Sequence, residues 1–354
     1  MNIGIAGAGA IAKGYAAYLL SKGHSTSLWS PSGKSTKKLM NGAQLEVTGA
    51  IEGKFNPKIC NTIEELAKHD VIILALPANG YRTVFDAIIP HLKPRHCIII
   101  SGHLSLAALY LSKKLSQRGI QIPISAWNTT ALTAKTPKSI NNVHIGMIRP
   151  HIQMATIPMN IADRATAICK ELFGNIFETD NDLLSITLSN LNPEVHLAVA
   201  LCNLTRIERG EDWLQNPNIT PLVSNLIAAL DDERIKIANA FGYEITDIKT
   251  TMETSLSMKE KSLAELYQQR AFKLKGPLGP KDISTRYVLE DMPFGLSPLI
   301  HLAKSAGVDV PVHMSGMAIM NACYDREFEK DNNLISDLHE LDLDQLKNLS
   351  LNGF

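Results

Sequence analysis

Apolar residues in the first half of this chain fall into short continuous runs separated by amphipathic stretches. Met1-Asn2-Ile3-Gly4-Ile5-Ala6, Asp70 to Ala78 and Cys97 to Ser101 are each apolar on successive positions. That is the signature of parallel strands buried on both faces. Ser25 to Trp29 predicts a further strand, and Lys13 to Lys22 and Tyr81 to Ile89 predict helices between them. From Asp180 onward the period changes to that of helices, through Leu183–Ile207, Pro221–Phe241, Leu256–Phe272 and Gly295–Ala306. The pattern predicts an α/β domain over residues 1–178 and an all-helical domain over 179–354. The acidic-amphipathic tail from Asp331 is expected either to pack as a terminal helix or to fray.

The first strand runs into Gly7-Ala8-Gly9-Ala10-Ile11-Ala12 and then into a helix. In that context the Gly-x-Gly-x-x-Ala spacing is the dinucleotide fingerprint of a Rossmann domain. Gly7 permits the tight turn, Gly9 admits the pyrophosphate to the backbone, Ala12 lets the helix approach the strand, and the amides from Ala10 and Ile11 onward face phosphate. The residues after the second strand select between nicotinamide cofactors. An acid there binds a free ribose hydroxyl, whereas this chain reads Ser30-Pro31-Ser32-Gly33-Lys34-Ser35, with no acid before Glu46. Ser30, Ser32 and Lys34 suit a phosphate, so NADP(H) is expected over NAD(H). The turns at Pro77 and Gly102 end buried strands, where ligands bind in open α/β sheets, and Pro77 is a candidate to border the nicotinamide ribose. For His103 a loop histidine, exposed or capping the following helix, is at least as good a reading as a catalytic one.

Composition narrows the class. At 354 residues the chain exceeds the single-core limit of about 250–300 residues, so two domains are expected. Its 35 basic and 35 acidic residues give no global field for nucleic acid or a membrane surface, so any substrate charge must be met locally. No run approaches the roughly 20 apolar residues of a membrane span, and a cytoplasmic location is the default expectation. The five cysteines lack metal-ligand or disulfide-framework spacing, so no metal is expected.

In the helical half, Asn192-Pro193-Glu194-Val195-His196 reads as a helix start, with Asn192 as N-cap, Pro193 at the first helical position and Glu194 at the positive end of the dipole. His196 then lies in the first turn. About ninety residues later comes Arg286-Tyr287-Val288-Leu289-Glu290-Asp291. A proton donor, a carboxylate to orient it and a cation for an acidic substrate are what reduction of a keto acid needs beside a hydride source. An internal ion pair is an equally good reading of Arg286 and its neighbouring acids. Met292-Pro293-Phe294-Gly295 breaks the helical pattern and predicts a loop edge.

Three segments together resemble the opine dehydrogenase family, of the octopine/nopaline type, across essentially the whole chain. They are Asn192–His196; Thr220-Pro221-Leu222 continuing through Leu230-Asp231-Asp232-Glu233-Arg234 to Ala238; and Arg286 to Leu296 followed by Ala306-Gly307-Val308. The resemblance implies an NAD(P)-dependent oxidoreductase that condenses an α-keto acid reductively with the amine of an amino acid, with a homodimer as the expected assembly. It implies His196 as acid/base, Asp291 as its orienting carboxylate and Arg286 as the holder of a substrate carboxylate. The chain departs from the family pattern at Ala126-Trp127-Asn128-Thr129-Thr130-Ala131-Leu132, a stretch expected to reach the substrates, where Thr130 is a candidate contact and Trp127 reads more readily as core. Two other readings stand beside this one. One is a keto-acid reductase of the ketopantoate or β-hydroxyacid type, whose members carry a lysine where this chain has His196. The other is a dinucleotide sensor without turnover.

Overall fold

The computed structural model describes residues 1–137, 141–259, 262–274, 277–338 and 340–354, without the side chains of residues 180, 273, 274 and 337. The chain divides into two compact units, Met1–Thr187 with Leu346–Phe354, and Leu188–Gln345. The first unit thus runs past residue 178, and the tail does not fray. Leu343–Asn352 is helical, and the Phe354 amide donates to Ser112 Oγ at 2.9 Å.

The first unit is built on β1 (Asn2–Ala6), β2 (Ser25–Trp29), β3 (Leu45–Gly49), β4 (Gly53–Phe55), β5 (Lys58–Ile59), β6 (Val71–Leu74), β7 (Cys97–Ile100), β8 (Ile124–Trp127), β9 (Leu132–Lys135), β10 (Asn142–Ile148), β11 (Ile152–Ile157) and β12 (Phe177–Asn181). Its main sheet has the order β12-β11-β8-β7-β6-β1-β2-β5, and β4-β3-β10-β9 form a smaller one. The six strands from β5 to β8 are mutually parallel. β11 turns back antiparallel on β8. Every residue of β6 and β7 is buried, as strands covered on both faces require. The strand order reverses between β1 and β6, so the carboxyl ends of these two strands border the crevice where such sheets take ligands. Trp127 is wholly buried and meets Tyr15 and Phe173 edge-on, which makes it core.

The second unit is helical among its described residues, apart from an isolated bridge between Leu214 and Leu278. The expected helix over Leu183–Ile207 is three helices, Leu183–Leu188, Asn192–Cys202 and Leu204–Glu208. The expectation of one helix over Leu256–Phe272 covers residues 260 and 261, which lie outside the described residues. On either side of them, Ile248–Leu256 and Leu263–Leu274 are helical. The core between these helices gathers Leu197, Val199, Ile227, Leu230, Leu266 and Met292. No helix among the described residues is long and apolar enough to cross a membrane.

Candidate active site

In the first unit, the Gly7 amide donates to Trp29 O at 2.8 Å. Gly7 sits at φ +130°, and a Cβ there would lie 2.2 Å from Ala75 O. Only glycine meets both conditions. Gly9 is the reverse case. Its φ of −76° suits any residue, and a Cβ there would meet nothing within 4 Å. The helix that follows, Ala10–Ser21, has neither a side-chain cap nor an acidic residue in its first turn. Open space at Gly9 beside uncapped amides fits a pyrophosphate, and Ala12, fully buried, seats the helix against the sheet. We expect Gly9→Val to leave Tm unchanged while raising the nucleotide Kd tenfold or more, about 1.4 kcal/mol, in a calorimetric titration. Ser32 and Lys34 are exposed beyond the end of β2, Ser30 is half-buried there, and Pro77 lies exposed just past β6.

His103 is not an acid/base group. It is buried, its Nε2 accepts the Ala108 amide at 3.2 Å, and burial pushes its pKa down to about 3, so it caps the next helix as a neutral ring. Thr130 lies beside the Gly102 turn and donates its hydroxyl to Leu132 O at 2.7 Å. Tyr15 holds this loop. Its hydroxyl accepts the Ala131 amide at 2.7 Å and lies 2.5 Å from Ser101 Oγ, tying the glycine-motif helix to the ends of β7 and β8.

The second unit brings His196 and Asp291 together. The helix carrying His196 begins at Asn192, one residue before the position expected, with Leu191 at the N-cap and no side-chain cap there. The Asn192 amide donates to Asn190 Oδ1 at 3.1 Å. Pro193 falls in the first turn, where its missing amide costs nothing. Thr285 Oγ1 accepts the Tyr287 amide and starts the short helix Arg286–Leu289. The expected loop at Met292–Gly295 is instead a buried π-helical turn, Met292–Leu296, that leads directly into the helix Ser297–Ser305. Pro293 can donate no amide, and the wider turn accommodates it. The Pro293 carbonyl is satisfied by Asn332 Nδ2 at 2.8 Å. Gly295 faces Pro193 so closely that a Cβ would stand 2.8 Å from the proline ring, and the absence of a side chain lets the two segments meet.

As a result, His196 Nδ1 donates to Asp291 Oδ2 at 2.7 Å, with the carboxylate only 1% exposed. The bond fixes the tautomer and leaves Nε2 as the working edge of the ring. Tyr287 stacks flat on His196, ring centroids 3.6 Å apart, and its hydroxyl donates to Gln215 Oε1 at 2.6 Å. Burial, aided by the Asp291 charge, raises the Tyr287 pKa and keeps the phenol protonated. His196, Tyr287, Gln215, Asn216, Thr251 and Arg270 line one cavity of about 320 Å³, at the lower end of the usual small-ligand range. Arg286 is not in that lining. Its side chain is 64% exposed, and its Nε lies 3.1 Å from Glu290 Oε2.

Sequence reasoning passed over Tyr287, Gln215, Asn216 and Arg270. Tyr287 carried a signal, since it stands inside the Arg286–Asp291 segment, but Arg270 is an ordinary polar position on a helix and Gln215 and Asn216 are polar residues of a turn. Among the described residues, no group of three or more His, Cys, Asp or Glu is placed to hold a metal ion.

Comparison with known proteins gives the same picture. Residues 179–324 match the family described as NAD/NADP octopine/nopaline dehydrogenase, alpha-helical domain, and residues 3–102 match ketopantoate reductase PanE/ApbA. An opine dehydrogenase of Arthrobacter sp. (strain 1C) is 25% identical over 92% of this chain and 91% of its own length. An octopine dehydrogenase solved with NADH and L-arginine superposes with a TM-score of 0.79 at 17% identity, covering 98% of each chain. Yersinopine dehydrogenase with NADP+ gives 0.67 at 15% identity, over 95% of this chain and 98% of the other. With a Rossmann unit, a helical unit that matches the octopine/nopaline dehydrogenase domain over residues 179–324 and a buried histidine–carboxylate pair in it, the chain is similar along nearly its whole length to the opine dehydrogenases.

Proposed function

We propose that this protein catalyses the reductive condensation of an α-keto acid with the amine of an amino acid, and the reverse oxidation, with NADP(H) preferred. The observation that carries the reading is His196, oriented by buried Asp291, on the wall of a ligand-sized cavity. Gly7, Gly9, Ala10, Ile11 and Ala12 would hold the cofactor, with Ser30, Ser32 and Lys34 toward its ribose phosphate and Pro77 toward its nicotinamide, and the chemistry it would supply when bound is a hydride.

The remaining chemistry is proton management. A protonated amine is no nucleophile, so His196 Nε2 takes a proton from the ammonium and frees the lone pair that attacks the keto carbon. The same proton is then returned to the hydroxyl of the adduct, which leaves as water. Asp291 stabilises the imidazolium between the two transfers. Arg286 is proposed to hold a substrate carboxylate through its planar fork, exchanging Glu290 for the ligand. Thr130 is the proposed contact from the loop beside Gly102.

The preference for phosphate rests on the absence of an acid between Trp29 and Glu46 and on exposed Lys34. Lys34→Glu is expected to shift the ratio of kcat/KM for NADPH over NADH toward NADH by about tenfold or more, since it replaces an attractive charge with a repulsive one. The test of the activity itself is oxidation of NADPH and NADH with pyruvate, glyoxylate, oxaloacetate and 2-oxoglutarate, each with and without pooled amino acids. Turnover that requires both keto acid and amine is expected. The match of residues 3–102 to ketopantoate reductase favours one competing reading, a simple keto-acid reductase, which predicts turnover without amine.

A further inference from the structure

The cavity that contains His196 has a chemical bias of its own. Among the described residues its lining holds no aspartate or glutamate, and it does hold Arg270. Arg270 is half-buried on the helix Leu263–Leu274, and it pairs with no carboxylate among the described residues. The same lining includes Asn216, which is 1% exposed and whose Nδ2 has no hydrogen-bond partner among the described residues. Gln215 spends its oxygen on Tyr287, so its amide nitrogen is left as a donor too. A half-buried unpaired guanidinium and a buried orphan amide form a donor set with no acceptor charge to balance it. Leaving such donors unmet is costly, and a carboxylate is the acceptor that suits either of them.

We propose that this cavity binds a carboxylate remote from the reacting carbon, held by Arg270 with Asn216, so that one of the two substrates is dicarboxylic. The inference rests on the reading of the protein as an opine dehydrogenase and narrows its substrate class. A substrate with a basic side chain, such as the arginine in the octopine dehydrogenase complex, would bring a second cation to a wall whose described residues offer no counter-charge. Arg270 is on this view a specificity-determining residue, and the proton chemistry stays with His196.

The experiment has two arms and a binding readout. In one arm glutamate, aspartate, alanine, arginine and agmatine are compared as amines with pyruvate. In the other, 2-oxoglutarate and oxaloacetate are compared with pyruvate against alanine. The arm that shows the preference identifies which substrate carries the remote carboxylate. Arg270→Gln is expected to raise KM for the preferred dicarboxylic substrate by about tenfold to a hundredfold, as loss of a charge-assisted bond does, with kcat and the KM of the other substrate little changed. Arg270→Glu is expected to improve the use of arginine and agmatine relative to glutamate. Calorimetry with glutarate as probe is expected to show binding to the wild-type chain that Arg270→Gln abolishes. Equal use of basic and dicarboxylic substrates, unaltered in Arg270→Gln, would overturn the proposal and leave the opine dehydrogenase reading standing. Arginine-dependent glutarate binding without amine-dependent turnover of any pair would instead support the anion site and sink that reading.

Discussion

His196→Ala is expected to lower kcat by about 10²–10⁴, the range that a positioned acid–base group contributes. The Kd for NADPH should not move, because the glycine motif and the Lys34 loop belong to a separate compact unit. The loss should fall on kcat and kcat/KM alike, since the proton transfers matter in the transition state and little in the ground state. Asp291→Asn supplies the internal control. It retains a group that can accept from Nδ1 but removes the charge opposite the imidazolium, so kcat should fall less than in His196→Ala. The measurement is single-turnover oxidation of bound NADPH with keto acid and amine, beside a nucleotide titration of each variant. A kcat in His196→Ala within a few-fold of wild type, with nucleotide binding intact, would remove His196 from the chemistry.

The second large effect concerns stability. His313 is wholly buried between two carboxylates, accepted at Nδ1 by Glu233 Oε2 at 2.7 Å and with Nε2 3.9 Å from Glu194 Oε1, an ion-pair distance too long for a hydrogen bond. Glu194 is itself wholly buried, two residues before His196 on the same helix, and neither of its oxygens has a hydrogen-bond partner. Burial works to lower the His313 pKa, but the charges of Glu194 and Glu233 and the hydrogen bond to Glu233 outweigh it and the net shift is upward. A histidine whose folded pKa is raised contributes stability that is fully present below its ordinary value of 6.5 and is lost as pH rises through the folded pKa. Wild-type Tm should therefore fall as pH climbs above neutrality. His313→Gln leaves two buried carboxylates without their cation, which costs about 3–5 kcal/mol by the usual measure of a broken buried pair. It should also remove the alkaline slope. Calorimetric melts of both proteins from acid to alkaline pH check the two outcomes together, and a slope unchanged in the variant would show that His313 is not its source.

The Rossmann unit was legible because its signals are local. A buried parallel strand must be apolar at every position, and the turn at Gly7 demands glycine by its backbone angle, so both leave marks that no distant residue alters. His196 and Asp291 were legible through the resemblance of their segments, while the 2.7 Å bond between them depends on the fit of Gly295 to Pro193 and on the π-helical turn. The sequence at Met292–Gly295 announces only that a regular helix is interrupted. Whether proline and glycine then give a loop or a wide turn is decided by what packs on them, here Pro193 and Asn332. Arg270 left no mark at all. An arginine at a polar position of an amphipathic helix looks solvated until the neighbouring helices enclose it, whereas Arg286 has the family motif around it and lies outside that cavity's lining.

The cavity is assembled from parts with different constraints. His196, Asp291 and Tyr287 are locked by stacking, a short hydrogen bond and the glycine–proline contact, so most substitutions among them disturb the others. Thr251, Met252, Ser255, Tyr267 and Arg270 come from the two helices Ile248–Leu256 and Leu263–Leu274, and of these Thr251, Ser255 and Arg270 are not buried in the core. On the roles proposed above, mutational drift can rewrite the preferred substrate through a few positions on one helical pair while His196 and Asp291 stay as they are. A scaffold partitioned in this way diverges in what it joins long before it diverges in how it joins it.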